Sequence, residues 1–112
     1  MSTIKFAKQL VSDKENSNKY VIKTDLQEFG YAYIYHNSHI NNIYFFVYPQ
    51  YRSNGFGFLL FSHIIKELRN ISEYTHIELD VDKQNTHANN IIAKSGGLLL
   101  AEDSQKHWVL KL

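Results

Sequence analysis

The sequence predicts a mixed α/β (α+β) domain, with a mostly antiparallel central sheet of about six or seven strands and two helices. Three observations predict it. Two-residue alternation of apolar and polar side chains recurs, most clearly from Tyr31 to Tyr35 and from Thr75 to Asp82. One stretch repeats apolar residues at helical spacing (Phe56, Leu59, Leu60, Ile64, Leu68), and a second is bracketed by a capping asparagine and two glycines. With 112 residues, 44% hydrophobic and 14% aromatic, the chain can bury one core and has no room for a second.

Ile4 to Val11 fits a strand (Ile4, Phe6, Leu10) about as well as a helix (Ile4, Ala7, Leu10, Val11), and a strand is favoured. Ser12 to Lys19 is polar and reads as a loop, and Tyr20 to Leu26 begins as a strand. In the next strand Tyr31, Tyr33 and Tyr35 share one face, and Ala32 and Ile34 share the other. His36 to Asn42 is a polar turn before the strand Ile43 to Tyr48, which should pair with its predecessor as an antiparallel hairpin.

A helix is expected from Gly55 to Asn70, with Asn54 as its N-cap. The strand Thr75 to Asp82 follows, with Ile77, Leu79 and Val81 inward. A short helix then runs from Thr86 to Ser95, capped by Asn85 and stopped by Gly96-Gly97. Leu98 to Ala101 and Trp108 to Leu112 close the sheet. A right-handed crossover through residues 43–82 makes the strands on either side of the long helix parallel.

Composition removes several functions. The charge is near balance, 12 Lys+Arg against 11 Asp+Glu, with no block of like charges, which argues against a broad nucleic-acid surface. The chain has no cysteine, hence no disulfide, thiolate metal site or cysteine nucleophile. Met1 to Lys8 has no uninterrupted apolar core and no window approaches a membrane span, so the expectation is a single cytoplasmic domain over residues 1–112.

The most informative stretch is Val47 to Gly57. A strand ends at Pro49, a basic loop with two glycines follows, and a helix begins. Such a turn points backbone N–H groups and a helix dipole at one spot, which suits a phosphate or pyrophosphate. The missing Cβ at Gly55 and Gly57 would let an anion approach.

In these residues the chain resembles the GNAT superfamily of acyl-CoA-dependent N-acyltransferases. The family's cofactor motif, a strand ending V-x-P and a turn Arg/Gln-x-x-Gly-x-Gly/Ala, corresponds to Val47-Tyr48-Pro49 and Arg52-Ser53-Asn54-Gly55-Phe56-Gly57. Its second motif, a strand followed by Asn-x-x-Ala on a short helix, corresponds to Ile77 to Val81 and Asn85-Thr86-His87-Ala88.

The resemblance implies acetyl-CoA, or another acyl-CoA, as cofactor, and an amine as acceptor. The pyrophosphate would sit on the amides of Arg52, Ser53, Asn54, Gly55, Phe56 and Gly57. The pantetheine arm would bond along Phe45, Phe46 and Val47 in a gap between two splayed strands, and Asn85 would touch it. A backbone N–H near Phe46 or Val47 would stabilise the carbonyl oxygen.

The resemblance also places Ile92 where family members often carry a tyrosine acid, which puts proton donation in doubt. Asn89 shares that helical stripe and is a candidate partner for the thiolate, against a plain solvated asparagine. Tyr44, Tyr48, Asp80, Asp82 and His87 are open candidates for a base, with Tyr48, Asn89 and His87 carried forward as catalytic candidates. Family members usually insert two helices between their first two strands, and Ser12 to Lys19 is too short for that. Some sheet surface should therefore be bare, carrying aromatic faces from Tyr31, Tyr33, Tyr35, Tyr44, Phe46 and Tyr48. A homodimer or a wide acceptor site would use it. A degenerate member that binds CoA or only a protein partner, and a stacking platform for single-stranded nucleic acid, are the competing readings.

Overall fold

The structure, a computed structural model, describes residues 3–10, 17–36, 40–71 and 74–112. Among the described residues, seven strands and two α-helices follow the predicted order. Strands β1 (Lys5–Leu10), β2 (Ser17–Lys23), β3 (Glu28–Tyr35) and β4 (Ile43–Val47) form one antiparallel sheet in that order. Helix α1 (Phe56–Arg69) leads to β5 (His76–Asp82), helix α2 (Thr86–Lys94), β6 (Leu98–Glu102) and β7 (Gln105–Lys111). The last three strands form a second antiparallel sheet in which β7 inserts between β5 and β6.

The uncertain first segment is a strand: Phe6 faces Ile22 across the β1–β2 pair and stacks on His63 of α1. Strand β2 starts earlier than its composition suggests. Ser17, Asn18 and Lys19 pair with Tyr35, Ile34 and Tyr33, so register with β3 extends the strand through polar residues. The rest of the expected loop, residues 12–16, lies outside the described residues. The β3–β4 hairpin forms as expected, with Tyr31 opposite Phe46 and Tyr33 opposite Tyr44.

Helix α1 covers one face only. Tyr20, Ile22, Ala32 and Ile34 from the sheet meet Leu60, Phe61, Ile64 and Leu68 from the helix, and all are buried. Phe45 joins them through its ring contact with Phe61. Ile91 and Ile92 of α2 and Ile77, Leu79, Trp108 and Leu110 of the second sheet complete the same core. Among the described residues no helix covers the opposite face. The tyrosines expected to share a side do share it, and the long helix does not shield them.

The expected N-cap of α1 is displaced by one residue. Gly55, at φ 83°, occupies that position and makes no side-chain cap, while the Asn54 amide donates to the Tyr51 carbonyl instead. A left-handed entry into the helix favours glycine over an asparagine side chain. Asn85 caps α2 as expected, its Oδ1 accepting the Ala88 N–H at 3.2 Å, and Gly96, at φ 96°, ends it. Among the described residues, the segment that leads into β4 runs parallel to β5 and meets it at one bridge, Ile40 to Glu78. Beyond it β4 and β5 separate. No helix of the described residues is long and apolar enough to cross a membrane.

Candidate active site

The separation of β4 from β5 leaves a cleft of ≈ 340 Å³ lined by Tyr44, Phe45, Phe46, Val47, Arg52, Asn85, His87 and Ala88. β4 and β5 are edge strands of the two sheets, and it is the edge of β4 that lines the cleft. The peptide groups on such an edge are available to an extended ligand. Tyr48 donates its N–H to the Phe29 carbonyl, toward β3. The two-residue period turns Phe46 the same way and directs the peptide N–H of Val47 and Phe45 into the cleft. The Val47 carbonyl is already taken by Arg52 Nε at 2.9 Å.

The parting of the strands has a local cause at Asn41. This residue adopts φ 50°, and its N–H donates to the Glu78 carbonyl at 2.7 Å. Its side chain then replaces the next rung of the ladder: Oδ1 accepts the Asp80 N–H and Nδ2 donates to the Asp80 carboxylate. Behind this contact, His107 Nδ1 lies 2.6 Å from Asp80 Oδ1 and its Nε2 lies 3.1 Å from Asp103 Oδ2. The hydrogen bond to Asp80, then that to Asp103, raises the His107 pKa above the usual histidine value.

The glycine turn lies at the mouth of the cleft. Pro49–Tyr51 forms one 3₁₀ turn, and Arg52 to Gly55 are exposed, so the bend is not buried under other side chains. Ser53 (φ 70°) and Gly55 (φ 83°) are both left-handed, a backbone arrangement that gathers N–H groups into a concavity. The first helical bond of α1 runs from the Leu59 N–H to the Gly55 carbonyl, so the N–H groups of Phe56, Gly57 and Phe58 precede the ladder.

The two glycines have different reasons. A Cβ on Gly55 would meet nothing within 4 Å, which leaves the approach to this bend open. A Cβ on Gly57 would lie 2.9 Å from Ile91 Cδ1 and 3.1 Å from His87 Nε2. Gly57 is buried, and its bare Cα admits α2 against α1 rather than an anion against the backbone.

The cleft thus gathers Phe45, Phe46, Val47, Arg52, Asn85 and His87 of the expected residues. Ser53, Asn54, Gly55 and Phe56 follow in the turn beside Arg52. Tyr48 is outside the lining, half-buried against the rings of Tyr31 and Phe46.

Asn89 corrects the expectation made for it. It is buried at 4% exposure, donates from Nδ2 to the carbonyls of Asp82 and Asn85, and accepts from Trp108 Nε1 at 2.8 Å. Nothing of this amide is left for a thiolate. Ile92 is buried in the core at 1% exposure and contributes no group to the cleft.

Sequence reasoning missed Asn41 and His107. Asp80, the partner they share, is 39 and 27 positions distant from them.

Comparisons with known proteins agree with this geometry. No curated protein matches the chain. Among solved structures, the N-acetyltransferase PseH of Campylobacter jejuni in complex with acetyl coenzyme A superposes with a TM-score of 0.75 at 15% identity. That match covers 97% of this chain and 99% of that one. A domain from Methanocaldococcus jannaschii gives 0.76 at 15% identity, covering 90% of this chain and 70% of that one. The spermidine N-acetyltransferase of Vibrio cholerae, in complex with CoA and spermine, gives 0.70 at 14% identity, covering 87% of this chain and 66% of that one. At these identities the likeness is one of fold. The profile of the Acetyltransferase (GNAT) family matches residues 5–96, which include both strand edges, the glycine turn and α2. The chain belongs to the GNAT acetyltransferase family.

Proposed function

We propose that this chain moves an acetyl or other acyl group from acyl-CoA to a primary amine, by direct attack while both are bound. One observation carries the reading: an exposed glycine turn with unpaired helix N–H groups opens onto a cleft along the outer edge of β4. The turn suits a diphosphate, held by the amides of residues 52–57 and by Arg52, and a near-neutral protein needs little more charge for it. The outward edge of β4 suits an extended amide-bearing arm, with Asn85 on the facing side. Acetyl-CoA supplies an activated thioester to this cleft.

The chain's own residues would supply polarisation and proton handling. The Val47 N–H points where a carbonyl oxygen gains negative charge. His87 stands on the α2 side of the cleft and is the favoured group to take the proton of the attacking amine. Tyr48, outside the lining, is the weaker candidate. Neither Ile92 nor Asn89 of α2 can protonate a thiolate, since both are committed to the interior. Water would then have to do so, which thiolate basicity permits near neutral pH. The acceptor is an amine such as a polyamine, the class named for the Vibrio cholerae protein, or a lysine side chain.

The absent acid also supports a second reading, a CoA-binding or protein-interaction module that has lost turnover. Acetyl-CoA should raise the melting temperature of an enzyme or a CoA-binding module, and leave that of a purely protein-contacting module unchanged. Thiol release from acetyl-CoA with a panel of polyamines and lysine peptides separates the two. Gly55→Glu, which puts a carboxylate at the bend, should remove both signals. Normal CoA binding by that variant overturns the assignment of the turn.

A further inference from the structure

The helix-free face of the sheets is ordered by chemistry from one side to the other. Alternation places Tyr31 and Tyr33 of β3 and Tyr44 and Phe46 of β4 on it, opposite the buried Ala32, Ile34 and Phe45. The Tyr31 ring lies within 6.4 Å of those of Tyr33, Tyr44, Phe46 and Tyr48, so the rings form one continuous band. Val21 beneath them is only 1% exposed, while Tyr44 at the band's far side is 49% exposed.

On the β2 side the band is bordered by Lys19 and Lys23, whose positions alternate with the buried Tyr20 and Ile22. Lys19 Nζ already lies 5.1 Å from the Tyr31 ring centre. On the β5 side the border is Asp80 and Asp82, alternating with the buried Ile77 and Leu79. On this face β7 adds His107, opposite Asp80 and bonded to its carboxylate, which leaves Asp82 as the free acid of the border. It also adds Lys111, opposite His76 at the other end of that strand from Asp82.

A face that reads basic, aromatic, acidic is complementary to itself. A two-fold axis lying in the interface and parallel to the strands carries each basic border onto the other copy's acidic border. The aromatic bands then meet at the centre. An axis perpendicular to the strands would oppose like charges instead. The register agrees: Lys19 is level with Tyr33 and Tyr44, and Asp82 stands four residues beyond the Ile40–Glu78 bridge, as Tyr44 does. We propose that a second copy of this chain docks here, sheet face to sheet face, with Lys19 of each copy against Asp82 of the other. Sheets packed this way sit about 10 Å apart at a small angle, a spacing that aromatic side chains fill. The partner's sheet would also wall the side of the cleft bounded by Tyr44 and Phe46.

Sedimentation equilibrium over a concentration series tests this, with circular dichroism to confirm that each variant is folded. The natural chain should reach twice its monomer mass in the micromolar range. Lys19→Glu and Asp82→Lys should each weaken dimerisation about 10-fold or more, by setting like charges opposite one another. The double variant, which swaps the borders, should recover most of the loss. Tyr44→Glu, at the most exposed ring, should give a folded monomer. A chain that stays monomeric at high concentration overturns the proposal, and so does single-stranded oligonucleotide binding that Tyr44→Glu abolishes in such a monomer. A dimer indifferent to all of these but lost in Leu100→Glu would place contact at the β6 edge and overturn it equally.

Discussion

Asn41 and Asp80 hold each other in both directions. The Asp80 N–H donates to Asn41 Oδ1 at 2.8 Å, and Asn41 Nδ2 donates to the Asp80 carboxylate at 3.3 Å. A side chain thereby ends the parallel ladder at the point where the cleft begins. Asn41→Gly preserves the φ of 50° and removes both bonds. It should cost about 1–2 kcal/mol in urea unfolding. It should also weaken CoA binding in titration calorimetry, because β4 and β5 lose their fixed point of departure. Unchanged unfolding and binding would show that the separation is set elsewhere.

His107 makes stability depend on pH in a definite direction. Its bonds to Asp80 and Asp103 favour the imidazolium, so its folded pKa exceeds its unfolded one. The contribution is therefore complete below the unfolded value and is lost as pH rises through the folded value. Between about pH 6 and pH 8 the urea midpoint of the natural chain should fall more than that of His107→Gln. Asp103 acts in the opposite window. Its pKa is lowered by the Gln105 backbone N–H and then by His107, so its contribution is lost on acidification through the lowered value.

Asn89 is predicted to matter for folding before it matters for turnover. Asn89→Leu keeps the branched shape but strands the buried Trp108 indole N–H, and it leaves the carbonyls of Asp82 and Asn85 with only their backbone donors. The cost should be about 2–4 kcal/mol, read as a drop in melting temperature. A residue serving only a leaving thiolate would lower turnover and leave the melting temperature alone.

Two glycines separate sterics from conformation. A Cβ on Gly30 would stand 2.3 Å from the Phe46 carbonyl oxygen, so Gly30→Ala must push β3 from β4 and should cost about 3 kcal/mol or more. At Gly55 the space is open and only the φ of 83° resists a side chain. Gly55→Ala should therefore cost about 1–2 kcal/mol. Denaturant unfolding of the pair distinguishes the two causes.

What the residues announce in advance is whatever local period or cap chemistry controls. The alternation of Tyr31, Tyr33 and Tyr35 placed three rings on one face, and Asn85 and Gly96-Gly97 bounded α2, because each signal lies within a few positions of its effect. The entry to α1 was read one residue early, since Asn54 is a good cap by type and only the backbone turn reveals Gly55 in its place. Polar Ser17 to Lys19 looked like loop because their pairing partners lie on β3, beyond any local window. Asn89 was misread for a related reason. Its helical stripe was correct, but Trp108, 19 positions away, decides that the stripe faces inward. The chemistry of the bend was visible in the order of its residues, whereas the cleft beside it depends on Asn41 and Asp80 meeting across 39 positions.

Among the described residues the two sheets share one bridge, Ile40 to Glu78, and this has a dynamic corollary. Ladder bonding makes each sheet cooperative within itself, and one rung transmits little of that cooperativity to the other. Releasing β5, β7 and β6 leaves every rung of β1 to β4 standing. Native-state deuterium exchange should therefore resolve two sub-global openings, with the amides of β5 and β7 unlocking together at lower free energy than those of β2 and β3.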